Sequence, residues 1–295
     1  ALVTHFLMEN NSFSLGKLPR CRWNVIDLVT MVAGPTTPGY IFCDIDTTAA
    51  EKLRNDLAAK NIKVTITAIL LKAIALAQVA HPESRTIKLP WGTKVTLSEP
   101  IAGFTVERFI GNQPAVFFAV LPAVHKKSLG EIASELGHYG TSEICDVPQL
   151  RKETFLSNFP WLLRRMALWL CLAIPPLRSQ LNAATFGMTS LGKMGLQSLL
   201  SPCVSTCIFG VGTVEPRAIA INNEVVVRKM MTVTISVDTS IISLHIAERF
   251  LTDVKNLMEC GLAEDAVADL NTNESITSLT INENKEQREL VAVSH

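Results

Sequence analysis

The chain has 295 residues, 48% of them apolar, and its acidic and basic side chains balance to a formal net charge of zero. This length allows a sizeable core in one large domain or two small ones, and the balanced charge argues against nucleic acid as a partner. The mean hydropathy of +0.27 is high for a soluble monomer. It predicts a large core, a subunit interface or an apolar substrate channel.

Seven cysteines are scattered along the sequence: Cys21, Cys43, Cys145, Cys171, Cys203, Cys207 and Cys260. An odd number without compact spacing argues against a disulfide framework. With no secretory signal peptide visible, we expect a reducing, cytoplasmic compartment. We expect no metal site, because Cys203 and Cys207 have no second pair of ligands near them in the sequence.

Residues 1–16 show no periodicity and form a predicted N-terminal extension. A strand is predicted over Tyr40–Asp46. The Thr48-x-x-Glu51 spacing is typical of a capping box and predicts a helix that continues through Ala58.

The stretch Val64–Ala80 predicts a long helix that is buried on most of its faces. Its only long polar side chains are Lys72 and Gln78. At this length it falls short of the roughly 20 apolar residues that a membrane-spanning helix needs.

Two strands follow, over Pro100–Arg108 and Ala115–Ala123, with a turn predicted at Gly111-Asn112 between them. Ser128-x-x-Glu131 is a second capping box and predicts the start of another helix.

Residues Phe155–Leu177 form an apolar segment interrupted by prolines and arginines. Its uninterrupted apolar run, Met166–Pro176, is too short to cross a bilayer. Three interpretations are open: a helix packed on the core, an apolar wall for a long acyl substrate, or a surface helix that contacts a membrane or a partner protein.

The C-terminal half begins with the motif Thr185–Gly192 and a predicted strand, Cys203–Val214. Asn222-Asn223 then predicts a two-residue hairpin turn. The stretch Met231–Leu257 reads as a half-buried strand that leads into an amphipathic helix, with Ser240 as a possible N-cap between them. Residues 261–295 are polar and unpatterned, and predict a flexible tail.

The two motifs in this half resemble the catalytic domain of dihydrolipoamide acyltransferases, the E2 subunits of 2-oxoacid dehydrogenase complexes, whose superfamily includes chloramphenicol acetyltransferase. Thr-Phe-Gly-Met-Thr-Ser-Leu-Gly at Thr185–Gly192 resembles the family's Thr-Phe-Thr-Ile-Ser-Asn-Leu-Gly. Asp-Thr-Ser-Ile-Ile-Ser-Leu at Asp238–Leu244 stands where the family has Asp-His-Arg-x-x-Asp-Gly. The resemblance covers about Lys17–Met258 and implies one acyltransferase-like domain over residues 17–260, with residues 155–177 as an insertion.

The fold implied by this resemblance is a chloramphenicol acetyltransferase-like two-layer α/β (α+β) sandwich with a mixed sheet, assembled as a homotrimer. In the family a serine hydroxyl binds the oxyanion, and Thr189 holds that position. Thr239 replaces the histidine that acts as general base, and Ser243 replaces a structural aspartate. The expected substrate-binding residues are Ser190, Gly192 and Asp238.

The resemblance implies a diverged, stand-alone protein that acts on or binds acyl thioesters, with coenzyme A or a carrier as co-substrate and no covalently bound cofactor. No lipoyl or subunit-binding domain is recognisable in the sequence, which argues against a complete complex-forming E2. The alternative is a catalytically inactive trimeric scaffold or binding protein, which the replaced motif favours. In a third hypothesis, the substrate or a second protein supplies the missing base.

A relocated base is a further hypothesis. The candidates are His81, His125, His138 and His245, none with a carboxylate at a recognisable dyad spacing, and the thiols Cys203 and Cys207. We expect a core or surface role for each histidine, with His245 on a solvated helix face. We expect the two thiols to be inert, because they lie in an apolar stretch.

Overall fold

The structure, a computed structural model, describes residues 22–89, 92–110, 113–142, 159–174, 184–190 and 195–263. The predicted extension over residues 1–16, most of the predicted tail (264–295), the turn at 111–112 and Gly192 lie outside the described residues.

The helices are α1 (Trp23–Leu28, continued by a π-helical turn, Val29–Ala33), α2 (Thr48–Ala59), α3 (Ile66–Ala80), α4 (Leu129–Thr141), α5 (Trp161–Ala173) and α6 (Leu244–Glu259). The strands are β1 (Pro38–Asp46), β2 (Thr86–Lys88), β3 (Lys94–Thr96), β4 (Ile101–Ile110), β5 (Gln113–Pro122), β6 (Phe186–Ser190), β7 (Cys207–Ile221) and β8 (Glu224–Asp238). Short 3-10 turns at Pro82–Arg85 and Val124–Lys126 follow α3 and β5.

One mixed sheet organises the fold, with its strands in the order β1-β8-β7-β6-β4-β5. The short β6 runs parallel to β4 and to β7, and the other neighbouring strands are antiparallel. Strands β2 and β3 form a separate two-stranded sheet. This arrangement confirms the predicted α/β class with a mixed sheet.

Helices α3 and α6 pack on one face of the sheet and form the core with it. A chain of edge-to-face rings joins the two layers: Phe186 of β6 contacts Phe209 of β7, and Phe209 contacts Phe250 of α6. The predicted burial of α3 is confirmed. Its Lys72 ammonium donates to the carbonyl oxygens of His125 (2.6 Å) and Lys127 (2.7 Å), so the polar group of a mostly buried helix is satisfied.

The prediction that β8 is buried on one face only is wrong for the C-terminal part of the strand. Thr234 and Ser236, on the face away from the helices, are 0% and 1% exposed. The backbone of residues 196–199 crosses this face so closely that a Cβ on Gly210 would lie 2.1 Å from the Leu199 carbonyl oxygen. Thr234 Oγ1 donates to that same carbonyl. The alternating pattern therefore predicted the side of β8 that faces the helices, but not that residues 196–199 cover its other side.

The two predicted capping boxes have different outcomes. At the start of α4, Glu131 N–H donates to Ser128 Oγ (3.3 Å) and Ser128 N–H donates to Glu131 Oε2 (2.7 Å), which confirms the box. The box predicted at Thr48 is wrong, because Thr47 is the N-cap of α2 and makes no side-chain cap bond. The N–H and hydroxyl of Thr48 instead donate to the Asp46 carboxylate.

Strands β7 and β8 form a long hairpin around the predicted turn. Asn222 and Asn223 have φ angles of 50° and 69°, as a two-residue type I′ turn requires. β7 starts at Cys207 rather than at the predicted Cys203, and it runs unbroken to Ile221 except for a bulge near Val211.

Ion pairs attach helix α5, which lies within the predicted insertion, to α1. Asp27 of α1 is fully buried and accepts hydrogen bonds from Arg164, itself 4% exposed, and from Arg165 Nε at 3.2 Å. The Arg164 guanidinium also lies over the Trp23 ring, 5.3 Å from its centroid. In the described parts of the chain, no helix is long and apolar enough to cross a membrane.

Candidate functional site

The end of β8 is organised by Asp238, which is 3% exposed. Its Oδ1 accepts hydrogen bonds from Thr37 N–H (3.3 Å), Ser240 N–H (3.0 Å) and Ser240 Oγ (2.8 Å). Its own N–H donates to the Thr206 carbonyl at 3.0 Å. The carboxylate thus fixes the turn that leaves the sheet, which is the role a side-chain acceptor takes in an Asx turn.

Thr239, in the position where the resemblance expects a histidine, is bonded to the neighbouring chain segment. Its N–H and its hydroxyl both donate to the Thr37 carbonyl, each at 2.8 Å. A Cβ built on Gly39 would lie 2.7 Å from Thr239 Cγ2, so the methyl group fills the space that this glycine leaves. A threonine hydroxyl that donates its proton to a carbonyl cannot act as a general base at neutral pH.

Ser243, at the position where the resemblance expects a structural aspartate, caps α6. Its Oγ accepts a hydrogen bond from Ile246 N–H at 3.4 Å, and the helix begins at Leu244. The prediction of Ser240 as the N-cap is therefore wrong. Ser240 lies in the turn before the helix and donates to Asp238 instead.

Thr189 lies near the end of β6 and is half-buried, and Ser190 beside it is exposed. Phe186 and Met188 are buried against the helix layer. Because side chains alternate along a strand, Thr189 points to the opposite face of the sheet. Gly192 lies outside the described residues, so the structure does not describe the end of this motif.

Thr189 and Thr239 are not brought together within one chain. Thr189 pairs with Gly210 of β7, and Gly210 pairs with Thr234 of β8. Thr239 lies five residues beyond Thr234, and at about 3.3 Å per residue this is about 17 Å along the strands, with two strand spacings across. The Thr189 and Thr239 positions are therefore separated along the strand direction as well as across it, although both motifs begin at the same level of the sheet, where Phe186 pairs with Cys207 and Cys207 with Val237.

A histidine–aspartate pair that sequence spacing did not reveal joins α3 to α6. His81 Nε2 lies 2.6 Å from Asp253 Oδ2, although the two residues are 172 positions apart in the sequence. The His81 ring packs against Phe250, 5.5 Å between centroids. This pair lies in the helix layer, whereas Thr189 lies on the far face of the sheet, so the sheet separates them.

The other histidines have different surroundings. His245 is an exposed side chain on α6, as expected, with its Nδ1 3.9 Å from Glu248. His138 Nδ1 lies 2.8 Å from Ser142 Oγ at the end of α4. Burial, and next the positive charge of Lys126, lower the pKa of His125, which favours its neutral form.

The thiols of the described cysteines in and near the sheet are poor nucleophiles. Burial raises the pKa of Cys203 to about 11, and that of Cys43 to about 11. Burial also raises the pKa of Cys207, which is fully enclosed at the start of β7. Since the thiolate is the reactive form, these groups are inert at neutral pH.

Comparison with solved structures shows which fold this arrangement belongs to. The dihydrolipoamide acetyltransferase of Azotobacter vinelandii superposes with a TM-score of 0.65 at 18% identity, over 86% of this chain and 94% of that chain. That structure was solved to examine the roles of a serine, a histidine and an asparagine in the catalytic mechanism of the Azotobacter enzyme. A probable dihydrolipoamide acetyltransferase from Listeria monocytogenes gives 0.61 at 17% identity, over 86% and 97%. A truncated catalytic core of the 2-oxoacid dehydrogenase complex from Thermoplasma acidophilum gives 0.61 at 18% identity, over 85% and 100%.

The fold is therefore that of the E2 catalytic cores, and at these identities the structural likeness concerns the fold alone. In sequence, residues 177–263 match the model of the 2-oxoacid dehydrogenases acyltransferase (catalytic domain) family. Both motif stretches fall within the matched residues, so the resemblance read from those motifs is confirmed. No curated protein matches the chain in a direct sequence comparison.

Proposed function

We propose that the chain is a diverged acyltransferase-like protein that binds acyl thioesters, carried by coenzyme A or by a carrier, in a site shared by two copies of a homotrimer. The observation that carries this proposal is the separation of Thr189 and Thr239, which lie five residues apart along the strand direction and two strands apart across the sheet. If both belong to one site, as the acyltransferase motifs imply, then each must come from a different copy. An interface between copies also accounts for the exposed rings of Tyr40 and Phe42 on β1.

In the proposed site the Thr189 hydroxyl donates to the thioester oxygen, and the bond strengthens as that oxygen gains negative charge. Ser190 and Gly192 continue the substrate-binding stretch. Across the interface, Asp238 fixes the turn that presents Thr239, and Ser243 anchors the helix behind it.

The proposed reaction is exchange between a thiol and a thioester. A thiolate attacks the acyl carbon, the carbonyl electrons move onto the oxygen held by Thr189, and the tetrahedral intermediate collapses by expelling the original thiolate. Loss of a positioned general base costs roughly 10²- to 10⁴-fold in rate. Exchange survives part of that loss, because a few per cent of a typical thiol is already ionised at neutral pH.

A second candidate is a trimeric scaffold without catalysis. It is favoured by the hydrogen bonds of Thr239 to Thr37 and of Ser243 to Ile246, because both hydroxyls serve the fold where a catalytic domain would place its base and its structural acid.

Calorimetric titration of coenzyme A and acetyl-coenzyme A, followed by an exchange assay with a small dithiol, separates the two candidates. For the acyltransferase we expect binding and slow exchange, and Thr189→Val should reduce exchange about 10²-fold while Thr189→Ser retains it. An intact oligomer that binds neither ligand would support the scaffold and overturn the proposal. Gain of rapid exchange in Thr239→His/Ser243→Asp would show that the remaining parts of the site are in place.

A further inference from the structure

Helix α5 exposes its apolar side chains to solvent. Leu162 is 67% exposed and Met166 is 62% exposed. The large exposed apolar side chains of this helix are Trp161, Leu162, Leu163, Met166, Trp169 and Leu170. Its two arginine side chains, Arg164 and Arg165, are hydrogen-bonded to Asp27 of α1, and Arg164 is buried. The interpretation of α5 as a helix whose apolar side packs on the core does not hold for these six side chains.

The ion pairs fix this orientation. Arg164 and Asp27 are 4% and 0% exposed, and rolling the helix to bury its apolar face would separate these two charges inside the protein. Arg165 adds a bond from its Nη2 to Thr30 Oγ1 at 3.1 Å and stacks on Trp161, 5.1 Å from the ring centroid. The apolar face is thus held outward by the most buried charges of the α1–α5 pair.

We propose that α5 lies flat on the surface of a phospholipid membrane that contains anionic headgroups. At 13 residues it is about 20 Å long, which suits a helix lying in the interface and is too short for one that spans the bilayer. Trp161 is its first residue and Trp169 lies about one turn before its end. An indole ring prefers the boundary between acyl chains and headgroups.

The net positive charge of the α1–α5 helix pair favours anionic lipids. Helices α1 and α5, with Arg22 at the N-cap, carry three arginines and a single aspartate, and that aspartate is buried between two of the arginines. Arg22 is exposed, and the side chain of Arg165 is 34% exposed. Each basic side chain near an anionic membrane surface strengthens binding about fivefold.

A protein partner fits this face less well. Protein interfaces carry about one hydrogen bond per 100–200 Å² and a polar rim. The exposed apolar side chains of α5 offer no hydrogen-bonding group other than the indole N–H of the two tryptophans. Such a surface suits acyl chains, which require no hydrogen bonds.

The test measures binding of the full chain to vesicles of phosphatidylcholine with and without phosphatidylglycerol, by co-sedimentation. Met166→Gln/Leu170→Gln should reduce the partition coefficient about a hundredfold, since two large apolar side chains no longer enter the acyl region. Leu200→Gln, another exposed apolar side chain (47%) outside α5, is the matched control and should bind as the wild type does. Wild-type binding should weaken as salt rises and be weaker without phosphatidylglycerol.

Tryptophan emission should shift to the blue on vesicles and be quenched by brominated acyl chains. Absence of wild-type binding, or equal binding by the α5 variant, would overturn the proposal. A fall in oligomer mass in the α5 variant, with no vesicle binding by the wild type, would show instead that the face contacts a second copy. None of these binding, fluorescence and mass measurements depends on acyl transfer.

Discussion

Replacing Asp27 tests whether one buried carboxylate holds helix α5 in place. Asp27→Leu removes the acceptor and leaves the Arg164 guanidinium, 4% exposed, without its counter-charge. Breaking a buried ion pair by removing one partner costs about 3–5 kcal/mol. The more exposed Arg165 adds little to this figure, because solvent screens its pair.

Tryptophan fluorescence can report the loss of stability at the α1–α5 helix pair itself. Trp23, Trp161 and Trp169 lie on α1 and α5, and the chain has four tryptophans in all. Emission therefore reports mainly on this helix pair, and far-UV circular dichroism reports on the whole fold. With a urea m-value of about 2–3 kcal/mol/M, the emission midpoint should fall by about 1–2.5 M in Asp27→Leu.

The double variant Asp27→Leu/Arg164→Met is the control, because it removes both charges and keeps apolar volume. Replacing both members of a buried pair by apolar residues is often neutral, so the double variant should recover most of the lost stability. An emission midpoint that hardly moves in Asp27→Leu, or a double variant as unstable as the single one, would refute the reasoning.

Three further outcomes are expected elsewhere in the fold. Gly210→Ala should lower the free energy of unfolding by about 1–3 kcal/mol in urea titrations, because the added Cβ would lie 2.1 Å from the Leu199 carbonyl oxygen. An unchanged urea midpoint would mean that residues 196–199 do not cross the sheet at Gly210. Hydrogen bonds from Ser128 lower the pKa of Glu131 below its ordinary 4.5, so this carboxylate stabilises the fold above that pH and the contribution is lost as pH falls through the lowered value. The melting temperature of the wild type should therefore exceed that of Glu131→Ala at pH 7, and the two melting temperatures should converge in acid. A difference in melting temperature that does not change with pH would contradict a stabilising role of the Glu131 carboxylate in the capping box. Among the cysteines of the described residues, the exposed Cys260 should react first with iodoacetamide in a mass-spectrometric time course, and early labelling of the buried thiols would contradict their raised pKa values.

The parts of the fold that were predictable from sequence are those with a local signal. The periodicity of Val64–Ala80 gave α3, the two asparagines gave the β7–β8 hairpin, and Ser128 with Glu131 gave the start of α4. In each case the residues that decide the structure lie within one element or one turn.

The features that sequence reasoning missed depend on contacts between distant residues. The His81–Asp253 pair spans 172 positions, and the Asp27–Arg164 pair spans 137, so no spacing pattern reveals either one. The error at Thr48 arose because Asp46, the last residue of β1, competes for the same hydroxyl. At the candidate site, the motif resemblance predicts Thr189 and Thr239 as site residues, but only the strand register shows that one chain keeps them apart.

The central claim, that Thr189 and Thr239 of different copies form one site, is tested most directly by cross-linking. Thr189→Cys and Thr239→Cys proteins are mixed, allowed to exchange subunits and treated with a short bismaleimide, and linked peptides are mapped by mass spectrometry so that native cysteines are distinguished. Within one chain the two positions are about 17 Å apart along the strands alone, so a short linker joins them only between copies. The account predicts a 189–239 link between chains that neither single variant gives by itself. A monomeric mass with no such link would contradict it.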